Sequence, residues 1–375
     1  MSERTAGHSG LAHEFLLGGM PEARAGLDAA PEPKAVGAAA DADALRAAYL
    51  DLLKLALCDL AGAGTTSVGA MPGKGVVSYE LQGRDRRLRS AGIDWPLHGL
   101  TMVGLARLAD LQSCVETVVR DRVPGDLIEA GVWRGGASIL MRAVLDALGS
   151  TDRIVVVADS FEGFPDIDAA ESDGVDYSYE FLVAALDDVR DNFARFGYER
   201  GVDFVPGFFE ETLPQLTDRT FAVVRLDGDS YSATNVGLHS LYPALSPGGY
   251  MIIDDYGVVE GCRRAVDDFR SEYGITEPIE QVDWVSVRWR REGTDPLEVS
   301  PASPVAQASG ATGGARRSNH SPRSEIPTLR ELELAEEIGD LKARLAELDG
   351  RGNGGRRVDL RGIKQRLAAA LRRDR

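Results

Sequence analysis

Asp126-Leu127-Ile128-Glu129-Ala130-Gly131-Val132-Trp133-Arg134-Gly135-Gly136-Ala137-Ser138 is the stretch on which the fold turns. Leu127–Ala130 has the character of a short strand buried on both faces. Glycines at 131, 135 and 136 follow, and Ala137–Leu148 then reads as a helix. A strand, a glycine turn and a helix start in this order let backbone approach a ligand closely, because glycine lacks a side chain and tolerates positive φ. Taken alone, the glycines are equally well explained by tight helix–strand packing.

Downstream the same alternation repeats. Ile154–Ala158 is a β-branched run without polar alternation, and Val202–Val205, Phe221–Leu226 and Tyr250–Ile253 are further strands. Helical spacing predicts helices over Phe181–Phe196 and Val259–Tyr273, and Trp284–Arg290 alternates like a strand near a sheet edge. Repeated βα units imply an α/β fold with a parallel sheet covered by helices on both faces. Upstream, Leu45, Tyr49, Leu52, Leu53, Ala56, Leu57 and Leu60 make one amphipathic helix from Asp43 to about Ala63, and Thr101–Arg120 makes another. Between them, 64–84 reads as a glycine-containing loop and 85–99 as a short polar segment holding Trp95-Pro96-Leu97.

The remaining chain divides by composition. Residues 1–43, rich in Ala, Gly, Glu, Asp and Pro, read as a disordered leader, and 44–291 as the folded domain. Residues 292–327 are a Pro/Ser/Gly/Ala linker. In 328–349, Leu334, Ile338, Leu341, Leu345 and Leu348 form a short coiled-coil-like seam, with Thr328 and Glu331 as a capping box. The 350–375 tail carries nine basic and two acidic residues from Arg351 onward. We read it as a solvated tail first, and as a contact to an acidic membrane surface second.

The whole chain of 375 residues has 43% hydrophobic and 27% charged residues, as expected for a globular protein with a core. A formal net charge of -17 argues against duplex nucleic acid as a partner. Its 3 cysteines, Cys58, Cys114 and Cys262, are too scattered for a disulfide framework or a zinc site, which suits the cytoplasm. The first thirty residues lack the pattern of a signal peptide, and no apolar run reaches the roughly 18 residues of a membrane span.

Acidic residues give the site its chemistry. Glu129 closes the first strand, where a pyrophosphate cradle would not want an acid; a ligand carrying a sulfonium or ammonium would. Asp159, thirty residues on, closes the next strand, in the place from which a carboxylate takes hydrogen bonds from a ribose diol. The pair favours S-adenosylmethionine over a dinucleotide. Two later strands run into Asp227-Gly228-Asp229 and Asp254-Asp255. At the carboxyl ends of neighbouring strands, Asp227, Asp254 and Asp255 converge, and three carboxylates at close range need a cation or protons between them. Oxygen-only ligands suit Mg2+. Singly, Asp255 or Asp229 is as readily a helix N-cap. A metal there would chelate two adjacent hydroxyls, and Asp227 is the candidate base.

The ordered strings Asp94-Trp95-Pro96, Thr101-Met102-Val103-Gly104, Ala158-Asp159-Ser160-Phe161-Glu162-Gly163, Gly207-Phe208-Phe209-Glu210-Glu211, Leu226-Asp227-Gly228-Asp229 and Ile253-Asp254-Asp255-Tyr256 resemble the macrocin O-methyltransferase family, over about Tyr49–Trp289. The resemblance implies a Rossmann-like class I methyltransferase with a mostly parallel seven-stranded sheet, an N-terminal helical lid and a C-terminal helical extension. It implies transfer of a methyl group from S-adenosylmethionine to a sugar hydroxyl of a glycosylated natural product or glycan, with Mg2+. It places Glu129, Gly131, Ser138, Asp159, Met102 and Phe209 around the cofactor, and Asp227, Asp254 and Asp255 around the metal, with Asp227 as base. Such enzymes are frequently dimeric, so a homodimer is expected. The family often has a histidine directly before the Thr-Met pair; here Leu100 stands there and His98 lies earlier, beside the expected substrate lid. A catechol-type phenolic O-methyltransferase and a non-catalytic cofactor-binding assembly protein are the competing readings. Trp133 is read either as a pocket wall or as core, and His239 as structural.

Overall fold

A computed structural model describes residues 41–62, 64–71, 75–81, 86–164, 180–293 and 299. Nearly all of the leader and linker, the heptad seam and the basic tail lie outside the described residues. Helix α1, Ala42–Leu57, starts just inside the segment expected to be leader, because Asp41 caps it by accepting the Ala44 amide at 2.8 Å. Its stripe of Leu50, Leu53 and Leu57 is buried.

The segment expected as loop is a sheet. Strands β1, Thr65–Met71, and β2, Gly75–Leu81, pair antiparallel from Thr65 opposite Leu81 to Met71 opposite Gly75. The short strand β3, Trp95–Pro96, pairs with the other edge of β1 after the short helix α2, Arg86–Ser90. This sheet escapes a reading by hydrophobic pattern because its interior is polar. Arg89 is fully buried, gives Asp94 a hydrogen bond at 2.7 Å and Thr65 another at 2.7 Å, and reaches the Cys58 and Thr66 carbonyls. Ser67 also donates to Asp94. Buried charge of this kind persists only when its partners are complete.

Helix α3, Gly104–Arg120, leads into the main sheet. Its elements are β4 (Asp126–Ala130), α4 (Gly136–Ala147), β5 (Val155–Asp159), α5 (Leu186–Arg195), β6 (Val202–Pro206), α6 (Phe209–Thr212), β7 (Phe221–Leu226), α7 (Tyr231–Leu241), β8 (Leu245–Ile253), α8 (Glu260–Glu272), β9 (Glu280–Gln281) and β10 (Val287–Arg290). The seven strands run in the order β6-β5-β4-β7-β8-β10-β9; β6 to β8 are parallel, and β10 is antiparallel to both its neighbours. Alternate residues face opposite sides: Leu127, Val155, Val157 and Val223 join α1, α3, α4 and α5, while Ile128, Val156 and Val224 join α7 and α8. The expected α/β architecture is therefore present.

Two boundaries differ for physical reasons. The helix expected over Phe181–Phe196 begins only at Leu186, after a 3-10 turn at Glu180–Leu182. Phe181 is committed elsewhere: its ring lies 4.9 Å from that of Trp95, and its carbonyl accepts from the Trp133 indole at 2.9 Å. The strand expected at Tyr250 begins at Leu245, with a register shift against β7 between Phe221 and Val223. Among the described residues, no helix is long and apolar enough to cross a membrane.

Candidate active site

The chain leaves β4 toward β5 and β6 on one side, then returns to place β7 on the other. The carboxyl ends of β4 and β7 thus flank a topological switch point, where open α/β sheets hold ligands. A cavity of about 320 Å³ opens there. Of the residues expected around a cofactor, Glu129, Gly131, Asp159, Met102 and Phe209 line it. Ser138 does not; it is fully buried behind Glu129 and donates its hydroxyl to that carboxylate. Its part in the site is to hold Glu129.

The glycines serve chain contacts as much as ligand approach. Gly131 has φ +90°, and a Cβ there would meet the Asp227 carbonyl oxygen at 1.8 Å. Gly131→Ala is therefore expected to cost about 1–3 kcal/mol from the strained backbone alone, with a further loss from pushing β4 and β7 apart. A thermal melt of the variant checks this, and an unchanged melting temperature would contradict it. At Gly136 a Cβ would meet the Leu100 carbonyl oxygen at 2.5 Å, and the Gly136 amide donates to that oxygen at 2.9 Å. Gly136 thus seats Leu100–Thr101 against the start of α4, while a Cβ at Gly135 would meet the Phe193 ring at 2.9 Å. Asp159 binds the turn itself: its carboxylate accepts the Val132 amide at 2.8 Å, the Trp133 amide at 3.3 Å and the Phe161 amide at 2.8 Å. Trp133 is half-buried with φ 48° and lines the cavity, stacked by the Arg134 guanidinium at 4.1 Å. His98 is exposed and outside the cavity lining, and His239 packs edge-on against Phe269.

Asp227, Asp254 and Asp255 do come together. Each offers a carboxylate oxygen, and these atoms lie within 4.8 Å of one another. Two arginines, absent from the reading of the sequence, are built into the cluster. Arg225 is buried in β7 and touches carboxylates from three adjacent strand ends: Glu129 at 2.5 Å, Asp227 at 2.8 Å and Asp254 at 2.5 Å. Arg107, from α3, reaches the other Asp254 oxygen at 2.5 Å. Burial alone would raise the Asp254 pKa, but the charges of Arg107 and Arg225 outweigh it and hold the carboxyl below its usual range. Elsewhere burial wins. It pushes Glu129 up to about 7, Asp227 up to about 6 with the Asp254 charge adding, and Asp229 up to about 8. Asp255 is driven well above the ordinary carboxylate range by burial and the Asp229 charge.

The seven-stranded sheet, its reversed penultimate strand and a ligand crevice at the β4/β7 switch point define a class I methyltransferase. The particular family follows from the sequence: residues 47–291 match the family described as Macrocin-O-methyltransferase (TylF), and the chain belongs to it. It is 46% identical over 263 residues to the 8-demethyl-8-(2,3-dimethoxy-alpha-L-rhamnosyl)-tetracenomycin-C 4'-O-methyltransferase of Streptomyces olivaceus, covering 68% of this chain and 97% of that protein. It is 42% identical over 251 residues to the mycinamicin III 3''-O-methyltransferase of Micromonospora griseorubida, covering 65% of this chain and 96% of that one. The solved O-methyltransferase NovP is 37% identical with a TM-score of 0.58, over 66% of this chain and 100% of NovP. The protein is an O-methyltransferase.

Proposed function

We propose that this enzyme transfers a methyl group from S-adenosylmethionine to a sugar hydroxyl of a glycosylated natural product, with Mg2+ held by Asp227, Asp254 and Asp255. The observation that carries the reading is the convergence of those acids in the cavity that also reaches Glu129 and Asp159. Two relatives whose names place the methyl group at a numbered sugar position support the acceptor class.

The residues present fit a divalent ion. Glu129, Asp227, Asp229, Asp254, Asp255 and Asp283 outnumber Arg107 and Arg225 in the same buried neighbourhood, and the donors are all oxygen. A bound ion supplies Lewis acidity toward paired substrate hydroxyls and favours the ionised form of the one that reacts. The chain supplies the rest. Arg225 holds the Asp227 Oδ2 atom at 2.8 Å, so Oδ1 is the oxygen that would both meet the ion and take the hydroxyl proton through its second lone pair. Burial raises the Asp227 carboxyl to about 6 in the ion-free site, and a bound ion would favour its charged, proton-accepting form. Glu129, charged above about pH 7, offers a negative field to the cationic donor. Asp159 lines the cavity and keeps the Val132–Trp133 amides fixed, and so keeps the cofactor turn in shape. Apolar Met102, Phe209 and Trp284 exclude water from the transfer path.

The test is an acceptor-library methylation assay on the purified chain, with chelator and with added Mg2+. Glycosylated acceptors are expected to be methylated, to lose turnover on chelation and to regain it with Mg2+. Turnover of free phenols but no glycoside would replace this reading with a catechol-type enzyme. Retained activity after exhaustive chelation would remove the metal from it.

A further inference from the structure

Arg107 stands where a metal's charge would stand. Its Nη1 atom lies 2.5 Å from Asp254 Oδ2, while Arg225 Nη2 takes Asp254 Oδ1 at 2.5 Å. Both oxygens of a carboxylate at the centre of the acid cluster are therefore already engaged by guanidinium groups.

The two arginines are not equivalent. Arg225 belongs to β7 and is anchored to Glu129 and Asp227 as well as Asp254. Arg107 comes from α3, outside the sheet, and its remaining contacts are to Gly92 and Asp283. Its Nη2 donates to the Gly92 carbonyl at 3.1 Å. Its Nε lies 3.0 Å from Asp283 Oδ2, yet neither of these buried atoms completes a hydrogen bond. Asp283 is itself fixed, with Oδ1 accepting the Val285 and Ser286 amides at 2.9 Å and 2.8 Å. Arg107 and Asp283 are thus already ion-paired without an aligned hydrogen bond, and a small rotation would align that pair as the Asp254 contact is given up. Gly92, Trp284 and Val285 line the cavity, and the Trp284 indole donates to the Ala91 carbonyl at 3.1 Å.

We propose that Arg107 is a positioning residue that holds Asp254 until a divalent cation displaces it, and that the displaced guanidinium turns to Asp283 and tightens the wall around residues 91–92 and 284–285. The inference rests on the metal reading above. Guanidinium and dication compete for the same oxygen, so they bind it in exchange; Coulomb repulsion between them across a few ångströms makes removal of the arginine favour the ion by on the order of tenfold or more.

The experiment is Mn2+ titration of the full chain followed by electron paramagnetic resonance, with Mn2+ as the probe and no turnover required. Arg107→Gln is expected to bind Mn2+ about tenfold or more tightly than the parent chain. Asp283→Asn, which removes the alternative partner of Arg107, is expected to bind it several-fold more weakly. Parent binding with Arg107→Gln equal or weaker, in a protein that melts cooperatively, overturns the proposal while leaving the metal site standing. If Arg107→Gln does not fold, Asp283→Asn decides: unchanged Mn2+ affinity overturns the proposal. No Mn2+ binding by the parent chain, with S-adenosylmethionine binding intact by calorimetry, overturns the metal reading and this proposal together.

Discussion

Asp227→Asn is expected to lower kcat by about 100- to 10,000-fold, the range a positioned general base contributes. The substitution keeps the size of the side chain and can still meet Arg225, which holds Oδ2 at 2.8 Å. It removes the proton-accepting capacity of the carboxylate. Binding of S-adenosylmethionine should survive, because Glu129, Asp159 and the Gly131 turn are untouched. Steady-state kinetics beside calorimetry separates the two effects, and an unchanged kcat would show that the proton leaves by another route.

Arg225→Met is expected to have the largest effect on stability. The side chain is 3% exposed and touches Glu129, Asp227 and Asp254. Removing it strands three carboxylates away from water, and breaking a buried pair by deleting one partner costs about 3–5 kcal/mol. For a domain of this size that corresponds to a melting temperature lower by roughly 10 °C. The deficit also has a sign with pH. Glu129 and Asp227 titrate in the folded state at about 7 and about 6, above their ordinary values. The folded protein therefore binds protons there that the unfolded chain has released, and stability falls as pH rises through that window. Without Arg225 both groups move higher still. The variant should lose more stability relative to the parent at pH 8 than at pH 5.5, and thermal melts at the two values decide it. A deficit of the same size at both values would mean that Arg225 acts by packing rather than by charge.

Much of this was legible in the chain. Strands β4, β5, β7 and β8 are covered on both faces, so their apolar runs announce them locally, and the acids that end them are conspicuous for that reason. What the pattern hides is polar structure kept inside. The β1–β2–β3 sheet is held by Arg89, Asp94 and Ser67, residue types that read as surface. Arg225 and Arg107 went unread for the same reason, though each left a trace. Arg225 is the one charge in the strand Phe221–Leu226, where an unpaired guanidinium would be prohibitive. Arg107 shares the face of α3 that buries Gly104 and Leu111. The family resemblance implies Ser138 as a cofactor neighbour, but a serine in the first turn of the helix after a strand-end acid is equally placed to hydrogen-bond that acid, as it does with Glu129.

The Arg134 guanidinium donates through Nη1 to the carbonyls of Pro96, Leu97 and Gly99, at 3.2, 2.9 and 3.0 Å. Nothing in those three bonds reads the side chains of the loop; they read only its path. Substitution at Leu97 or His98 leaves these bonds in place, whereas a Cβ at Gly99 would meet the Pro96 side chain at 2.7 Å, and a loop of another length would carry the three carbonyls away from Arg134. The clamp thus sets the length of the segment that leads into Thr101-Met102 and leaves only the side chains at 97 and 98 open to change.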